Sequence, residues 1–341
     1  MEKAKLSDVA SKAGVSITTA SNILNGKGSF SNGIKQKVFK AAKDLNYRKN
    51  LYASSIAKRK ISHIGVLFHE DYEKAFEWNF IRHMLIQIEA VITKHNYYPV
   101  MIPVSLKLKA GEVLKKIAAS STGALFSIHY GNRELFTLLE DQDIPVVVIN
   151  NSSYQDRFFS VCTDDFQGSY EGSIYLIDLG HQNIAFIDYF RPDQPTVVTD
   201  RFIGFKKAMD EHRINFDENS RITVNLNNME ELISKTKEII YSKYRPTALF
   251  VHDDYLAARV IVALNELGFF VPEDISIIAP GDTLDYNQPF IPRITTMSID
   301  TDMLGKLAGQ MMIERLNGNL KNHQVLKVKQ RLIKRGSCRK I

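Results

Sequence analysis

From residue 61 onward, short apolar runs alternate with longer stretches of helical periodicity, and the whole alternation runs through twice. A strand buried on both faces reads as a continuous apolar run, and one amphipathic helix between two such runs builds a parallel sheet. The spacing predicts strands over 64–68, 98–104, 123–128 and 146–149, with helices over about 80–95, 110–119 and 132–141 between them. The second series predicts helices over 166–179, 200–212, 229–242 and 255–267, with strands over 183–188, 221–225, 247–251 and 275–279. Two doubly wound parallel-sheet lobes in series follow. A last helix at about 302–317 and a last strand at about 325–333 could return the chain to each lobe in turn. On this reading lobe one takes about 61–161 and 294–323, and lobe two about 162–292 and 324–341. Lobes joined by several crossovers form a clamshell whose cleft lies at the carboxyl ends of the strands.

The first 48 residues follow a different rule and are expected to form a separate all-α head. Helices are predicted at about 6–13, 17–25 and 32–45. Small residues at Ala10, Ala13 and Ala20 let the first two cross closely, Gly14 supplies a left-handed turn, and Ser16 and Ser31 stand at cap positions. Ile34, Val38, Ala41, Ala42 and Leu45 recur at helical spacing and would close a small core. Residues 49–60 lose that periodicity and read as a hinge, with a helix-capable stretch at 50–57 that could order on a partner. The body is then residues 61–341.

Charge separates the two parts. Residues 1–60 hold thirteen Lys and Arg against Glu2, Asp8 and Asp44, a surplus of ten, whereas the whole chain carries only +6. A basic head on a mildly acidic body points to one nucleic-acid surface. At 341 residues the chain needs two or three domains. No apolar run reaches the roughly 20 residues that span a bilayer, and Cys162 and Cys338 form no disulfide or zinc pattern. A reduced cytoplasm is the expected setting, with no cofactor and no metal. No phosphate-cradling glycine loop, nucleophile elbow or His-Glu-x-x-His pair is present, so an enzyme is not expected.

These residues resemble the lactose/galactose repressor family of bacterial transcription regulators, nearly end to end. The resemblance rests on the head motif Leu6-Ser7-Asp8-Val9-Ala10 with Thr18-Thr19-Ala20-Ser21-Asn22, on Leu179-Gly180-His181, on Arg201-Phe202-Ile203-Gly204-Phe205, and on Pro246 to Phe250 leading to Asp253-Asp254. Val271-Pro272-Glu273-Asp274-Ile275-Ser276 followed by Ile294-Thr295-Thr296 completes it. The resemblance implies a helix-turn-helix head and a body like that of periplasmic sugar-binding proteins. It also implies a homodimer on a palindromic operator and a small-molecule effector, usually a sugar, between the lobes. A catabolite-control regulator with a protein co-effector is the alternative within the class; a sugar-binding protein or enzyme on the same clamshell is the alternative outside it.

By resemblance, Ile17, Thr18 and Asn22 fall where the family reads bases in the major groove, with Ser16, Thr19 and Tyr47 beside them. Asn22 replaces the usual arginine, and asparagine suits adenine where arginine suits guanine. In the hinge Asn50, Ala53 and Ile56 are the expected contacts, Ile56 standing where the family inserts an apolar wedge into the minor groove. Lys49 and Ser54 depart from the pattern. In the body Arg201 matches the arginine that grips the effector. Asp253 stands where asparagine is usual, and Gly281 where an aspartate often holds sugar hydroxyls, with Asp282 beside it. His252 reads as structural. Phe76, Trp78 and Phe80 fall between the first strand and its helix, at the cleft lip, either stacking on ligand or packing as core.

Overall fold

A computed structural model of the chain describes residues 6–24, 28–45, 47, 62–69, 76–105, 107–189, 195–320 and 322–341, without the side chains of 76–79 and 195–199. The chain divides into two units, Met1–Lys60 and Ile61–Ile341.

In the first unit, α1 (Leu6–Ala13), α2 (Ile17–Leu24) and α3 (Asn32–Asp44) enclose a core of Val9, Ala10, Ala13, Ala20, Ile23, Val38, Ala41 and Ala42. The turn between α1 and α2 closes through the amide of Val15, which donates to the Ala10 carbonyl at 3.0 Å. Gly14 in that turn has φ +68°, with open space where a Cβ would stand, so conformation and not room selects glycine. Ile34, expected in the core, is exposed. It sits on the first turn of α3, and Phe30, just before that helix, packs against the core instead.

The second unit runs β1 (His63–His69), α4 (Phe76–Ile92), β2 (Tyr98–Val104), α5 (Ala110–Ala119), β3 (Ala124–Ile128), α6 (Arg133–Glu140), β4 (Val146–Ile149) and β5 (Ser160–Thr163). It continues with α7 (Asp165–Asp178), β6 (Ile184–Tyr189), α8 (Pro195–Glu211), β7 (Arg221–Val224), α9 (Met229–Ile240), β8 (Ala248–Val251), α10 (Asp254–Glu266), β9 (Ser276–Gly281) and β10 (Thr295–Ser298). It ends with α11 (Thr301–Leu316), β11 (Val325–Val328) and β12 (Arg331–Ile333). One sheet has the order β11-β5-β4-β3-β1-β2 and the other β12-β10-β9-β8-β6-β7. Every pairing is parallel except β10 with β12, so the second sheet carries an antiparallel edge.

The expected lobe limits shift in three places. β5 and β10 were not predicted as strands; each is short and carries Ser and Thr, which hides it from an apolar pattern. Because β10 pairs with β9, residues 294–298 belong to the second lobe, not the first. The expected strand at 325–333 is two strands: β11 pairs with β5 in the first lobe, and β12 with β10 in the second. The chain therefore crosses between lobes after Thr163, after Ser298 and after Val328. Helix α4 begins at Phe76, so Phe76, Trp78 and Phe80 lie on its opening turns and not in a loop.

One continuous core joins the first sheet to α4 and α11, through Met84, Ile88, Phe126, Ala308 and Met312 among others. The second sheet is covered on one face around Leu249, Ile277 and Val260, and on the other by the rings of Phe186, Phe205 and Phe250. In both sheets the strand order reverses between neighbours, at β1/β3 and at β6/β8. Doubly wound sheets bind ligands in the crevice outside such points.

Candidate functional sites in the head and between the lobes

The head presents its second helix outward. Ser16 caps α2 through Oγ, which accepts the amide hydrogen of Thr19 at 3.0 Å, and the Ser16 and Thr19 hydroxyls lie 2.8 Å apart. This cap leaves Ile17 and Thr18 exposed at the start of α2, with 55% of the Ile17 surface open. Asn22, half-buried, lies one turn further along. Tyr47 packs against the head core with its amide bonded to the Ala42 carbonyl at 2.8 Å, and burial raises its hydroxyl pKa. Asn50, Ala53 and Ile56 lie outside the described residues.

In the body, the switch points bring together residues distant in sequence. At the end of β3, His129 stacks on Phe80 with ring centroids 5.2 Å apart. At the end of β6, the Tyr189 hydroxyl donates to Asp253 Oδ2 at 2.9 Å, and Asp253 Oδ1 accepts the Leu256 amide at 2.7 Å, capping α10. Arg201 on α8 is 5% exposed: Nε donates to Asp165 Oδ1 at 2.9 Å and Nη1 to the His252 carbonyl at 2.6 Å. Burial works against the Arg201 charge, but Asp165 and Asp253 outweigh it and hold the guanidinium above its ordinary range. His252 Nδ1 stands 2.8 Å from Asp188 Oδ1. Burial pushes Asp188 up, yet His252, the Tyr189 amide and Arg221 together leave it below the usual carboxylate range.

Asp254, fully buried, holds the loop after β9. Its oxygens accept the amides of Thr283 and Leu284 at 2.7 and 3.1 Å, the Thr283 hydroxyl at 2.8 Å and the Tyr286 hydroxyl at 3.2 Å. Burial and the neighbouring Asp253 push its carboxyl up to about 6 against the pull of these donors. A Cβ on Gly281, which has φ +140°, would stand 2.3 Å from Asp254 Oδ1. Asp282 accepts hydrogen bonds from the hydroxyls of Thr296 and Ser298, each at 3.1 Å, and pairs with Arg335. Together with Phe80, Arg82, His83, Tyr286 and Arg335 it lines a cavity of about 620 Å³ between the lobes.

Residues 5–50 match the model of the lacI family of bacterial regulatory proteins, and residues 174–338 match that of the periplasmic binding protein-like domain. The chain joins a lacI-family helix-turn-helix domain to a periplasmic binding protein-like domain. It is 28% identical over 338 residues to the HTH-type transcriptional repressor PurR of Edwardsiella ictaluri, covering 98% of this chain and 96% of that one. The transcriptional regulator CelR in complex with cellobiose shares the fold, with TM-score 0.72 at 19% identity, covering 98% of this chain and 99% of that one. The lac repressor dimer bound to operator and the anti-inducer ONPF does so with TM-score 0.68 at 22% identity, covering 99% and 100%.

Against the lacI-family pattern, the structure brings Arg201 and Asp253 together at one wall and sets Asp282 among other partners. Phe80 is both core, at 6% exposure, and lining of the cavity beside Asp282. The Trp78 side chain lies outside the described residues. What sequence reasoning missed is the floor of the cleft. The Thr163 amide donates to Asn150 Oδ1 at 3.3 Å, which fixes the orientation of the Asn150 amide, so its NH₂ donates to His129 Nε2 at 2.9 Å. His129 therefore carries its proton on Nδ1. The Thr163 hydroxyl lies 3.1 Å from Asn150 Oδ1 and 2.9 Å from Asp165 Oδ2, and its single proton favours the charged acceptor. Asp165 Oδ1 accepts Gln330 Nε2 at 3.3 Å as well as Arg201. A buried polar chain thus runs from His129 in the first lobe, across two crossovers, to Arg201 in the second. Gly168 makes room for it, since a Cβ there would stand 2.2 Å from the Gln330 amide.

Among the described residues no group of three or more His, Cys, Asp or Glu could hold a metal ion, and no helix is long and apolar enough to cross a membrane. The acids at this wall accept hydrogen bonds from a helix-cap amide, hydroxyls, a side-chain amide and Arg201. What the arrangement offers chemically is hydrogen bonding to a ligand and a linked pair of lobes.

Proposed function

We propose that this lacI-family regulator acts as a cytoplasmic, non-enzymatic repressor that reads a palindromic operator as a homodimer and responds to a small sugar-like effector between its lobes. Ile17, Thr18 and Asn22 read bases, with Ser16, Thr19 and Tyr47 placing the head and Asn50, Ala53 and Ile56 the hinge. Arg201, Asp253, Phe80, Trp78 and Asp282 surround the effector. The observation that carries this reading is the exposed first turn of α2, held by the Ser16 cap within a head and hinge that carry a surplus of ten positive charges. Exposed Tyr98 and Met101 on the edge strand β2, with Val262 and Phe290 in the second lobe, support self-association. An effector shifts operator affinity only through different affinities for two lobe arrangements, and the buried polar chain across the crossovers gives those arrangements a physical link.

Selection of binding sites from random duplex DNA by the full chain tests it. A twofold-symmetric site is expected, with adenine preferred at one half-site position that becomes guanine with Asn22→Arg. Failure to enrich any site, or a site without symmetry, removes the reading; unchanged preference with Asn22→Arg removes the role of Asn22.

A further inference from the structure

We propose that Asp253 sets the chemical class of the effector: the ligand presents hydrogen-bond donors, sugar hydroxyls or a protonated amine, to the Asp253 carboxylate, and anionic ligands are rejected. The inference rests on the reading of the cleft as the effector site and goes beyond it to the class of ligand. Three features of the wall carry it.

The arginine at this wall is not free to clamp an anion. Arg201 is 5% exposed, its Nε and Nη1 are taken by Asp165 and the His252 carbonyl, and Asp165 balances its charge. Second, Asp253 is half-buried and forms no ion pair among the described residues. Each of its oxygens accepts one hydrogen bond, from Leu256 or Tyr189, and each keeps a lone pair. Unlike the asparagine usual in the family, it offers acceptors only. Third, no side chain reaches in from Gly281, because Asp254 fills the place of its Cβ. The acid expected there is supplied instead from the cap of α10. An anion brought to this wall meets two carboxylates, Asp165 and Asp253, set against the single Arg201 guanidinium, in a partly desolvated site where like charge is costly. Phe80, stacked on His129 and only 6% exposed, closes the opposite wall as a buried apolar edge.

The test is thermal-shift and calorimetric titration of the full chain with four groups of compounds: neutral mono- and disaccharides, amino sugars, the 6-phosphates of both, and uronic acids. Operator affinity is measured alongside. Asp253→Asn serves as the variant, since its amide oxygen still caps Leu256 and the Tyr189 hydroxyl can turn to accept from its NH₂. Its melting temperature without ligand checks that it folds. The stabilising ligand is expected in one of the first two groups, which distinguishes hydroxyl from ammonium recognition, and its affinity should fall about tenfold in Asp253→Asn. The phosphorylated or uronic counterpart should bind more weakly than its parent to the native chain. An anionic compound as best ligand overturns the inference, as does equal affinity in the folded variant or a lack of response to both uncharged and amino sugars. If an anion binds and alters operator affinity, the effector reading stands and only the class is wrong. If no compound of any group shifts melting or operator affinity, the effector reading itself falls.

Discussion

Asp165 and Arg201 form a buried ion pair, Nε to Oδ1 at 2.9 Å, with both side chains about 95% enclosed. Asp165 opens α7 directly after the first crossover and Arg201 lies on α8, so the pair fastens the second lobe to the chain entering it. Removing one member leaves the other charge buried without a partner. Asp165→Ala is expected to lower stability by about 3–5 kcal/mol in urea unfolding. The double change Asp165→Leu with Arg201→Met should cost clearly less, because no orphan charge remains. If the double variant is as unstable as the sum of the singles, the pair is not coupled as the geometry requires.

The architecture was legible because each lobe repeats one apolar and helical rhythm, and the head because Gly14 and Ser16 fall where a tight turn and a cap need them. β5 and β10 were not legible. Ser160 and Thr163, Thr296 and Ser298 interrupt the apolar pattern, and their hydroxyls are satisfied by polar partners that no apolar pattern marks: the Phe158 carbonyl for Ser160, Asp165 and Asn150 for Thr163, Asp282 for Thr296 and Ser298. The same holds for the cleft. Arg201 could be singled out by resemblance, but its partner Asp165 lies 36 residues away and Gln330 a further 165 from Asp165. Long-range pairings of polar groups carry no local period.

Two serines at equivalent cap positions should respond differently. Ser16 Oγ accepts the Thr19 amide at 3.0 Å, whereas Ser31 makes no side-chain cap and α3 starts from its carbonyl, which accepts the amides of Ile34 and Lys35. Ser16→Ala should destabilise the head by about 1 kcal/mol, and Ser31→Ala by only a few tenths. Thermal unfolding followed by circular dichroism checks both, and operator affinity should fall only with the first.

Gly281→Ala should be poorly tolerated. Its Cβ would stand 2.3 Å from Asp254 Oδ1, and the residue sits at φ +140°. Either the end of β9 shifts or Asp254 gives up its hold on the loop at 283–286. A loss of about 2 kcal/mol or more is expected in chemical denaturation. A loss under about 0.5 kcal/mol would mean that the close approach is not maintained in solution.

Asp254 gives stability a pH dependence of a particular sign. Its carboxyl is pushed up to about 6 in the folded chain, above the ordinary value of 3.8, because burial and Asp253 outweigh the donors around it. The folded state therefore binds an extra proton between about pH 4 and 6. The stabilisation from this group is complete below the unfolded value and is lost as pH rises through 6. Beyond that it leaves a fixed cost of about 3 kcal/mol relative to acid. Asp254→Asn removes the titration yet fits the site: its oxygen can take the Thr283 and Leu284 amides and the Tyr286 hydroxyl, while its NH₂ donates to Thr283 Oγ1. The native chain should lose stability relative to Asp254→Asn as pH is raised from 4 to 7, and the difference should level off above 7. Denaturant unfolding of both proteins across that range measures it. A difference that is flat with pH would place the Asp254 carboxyl at its ordinary value, with the four donors outweighing burial.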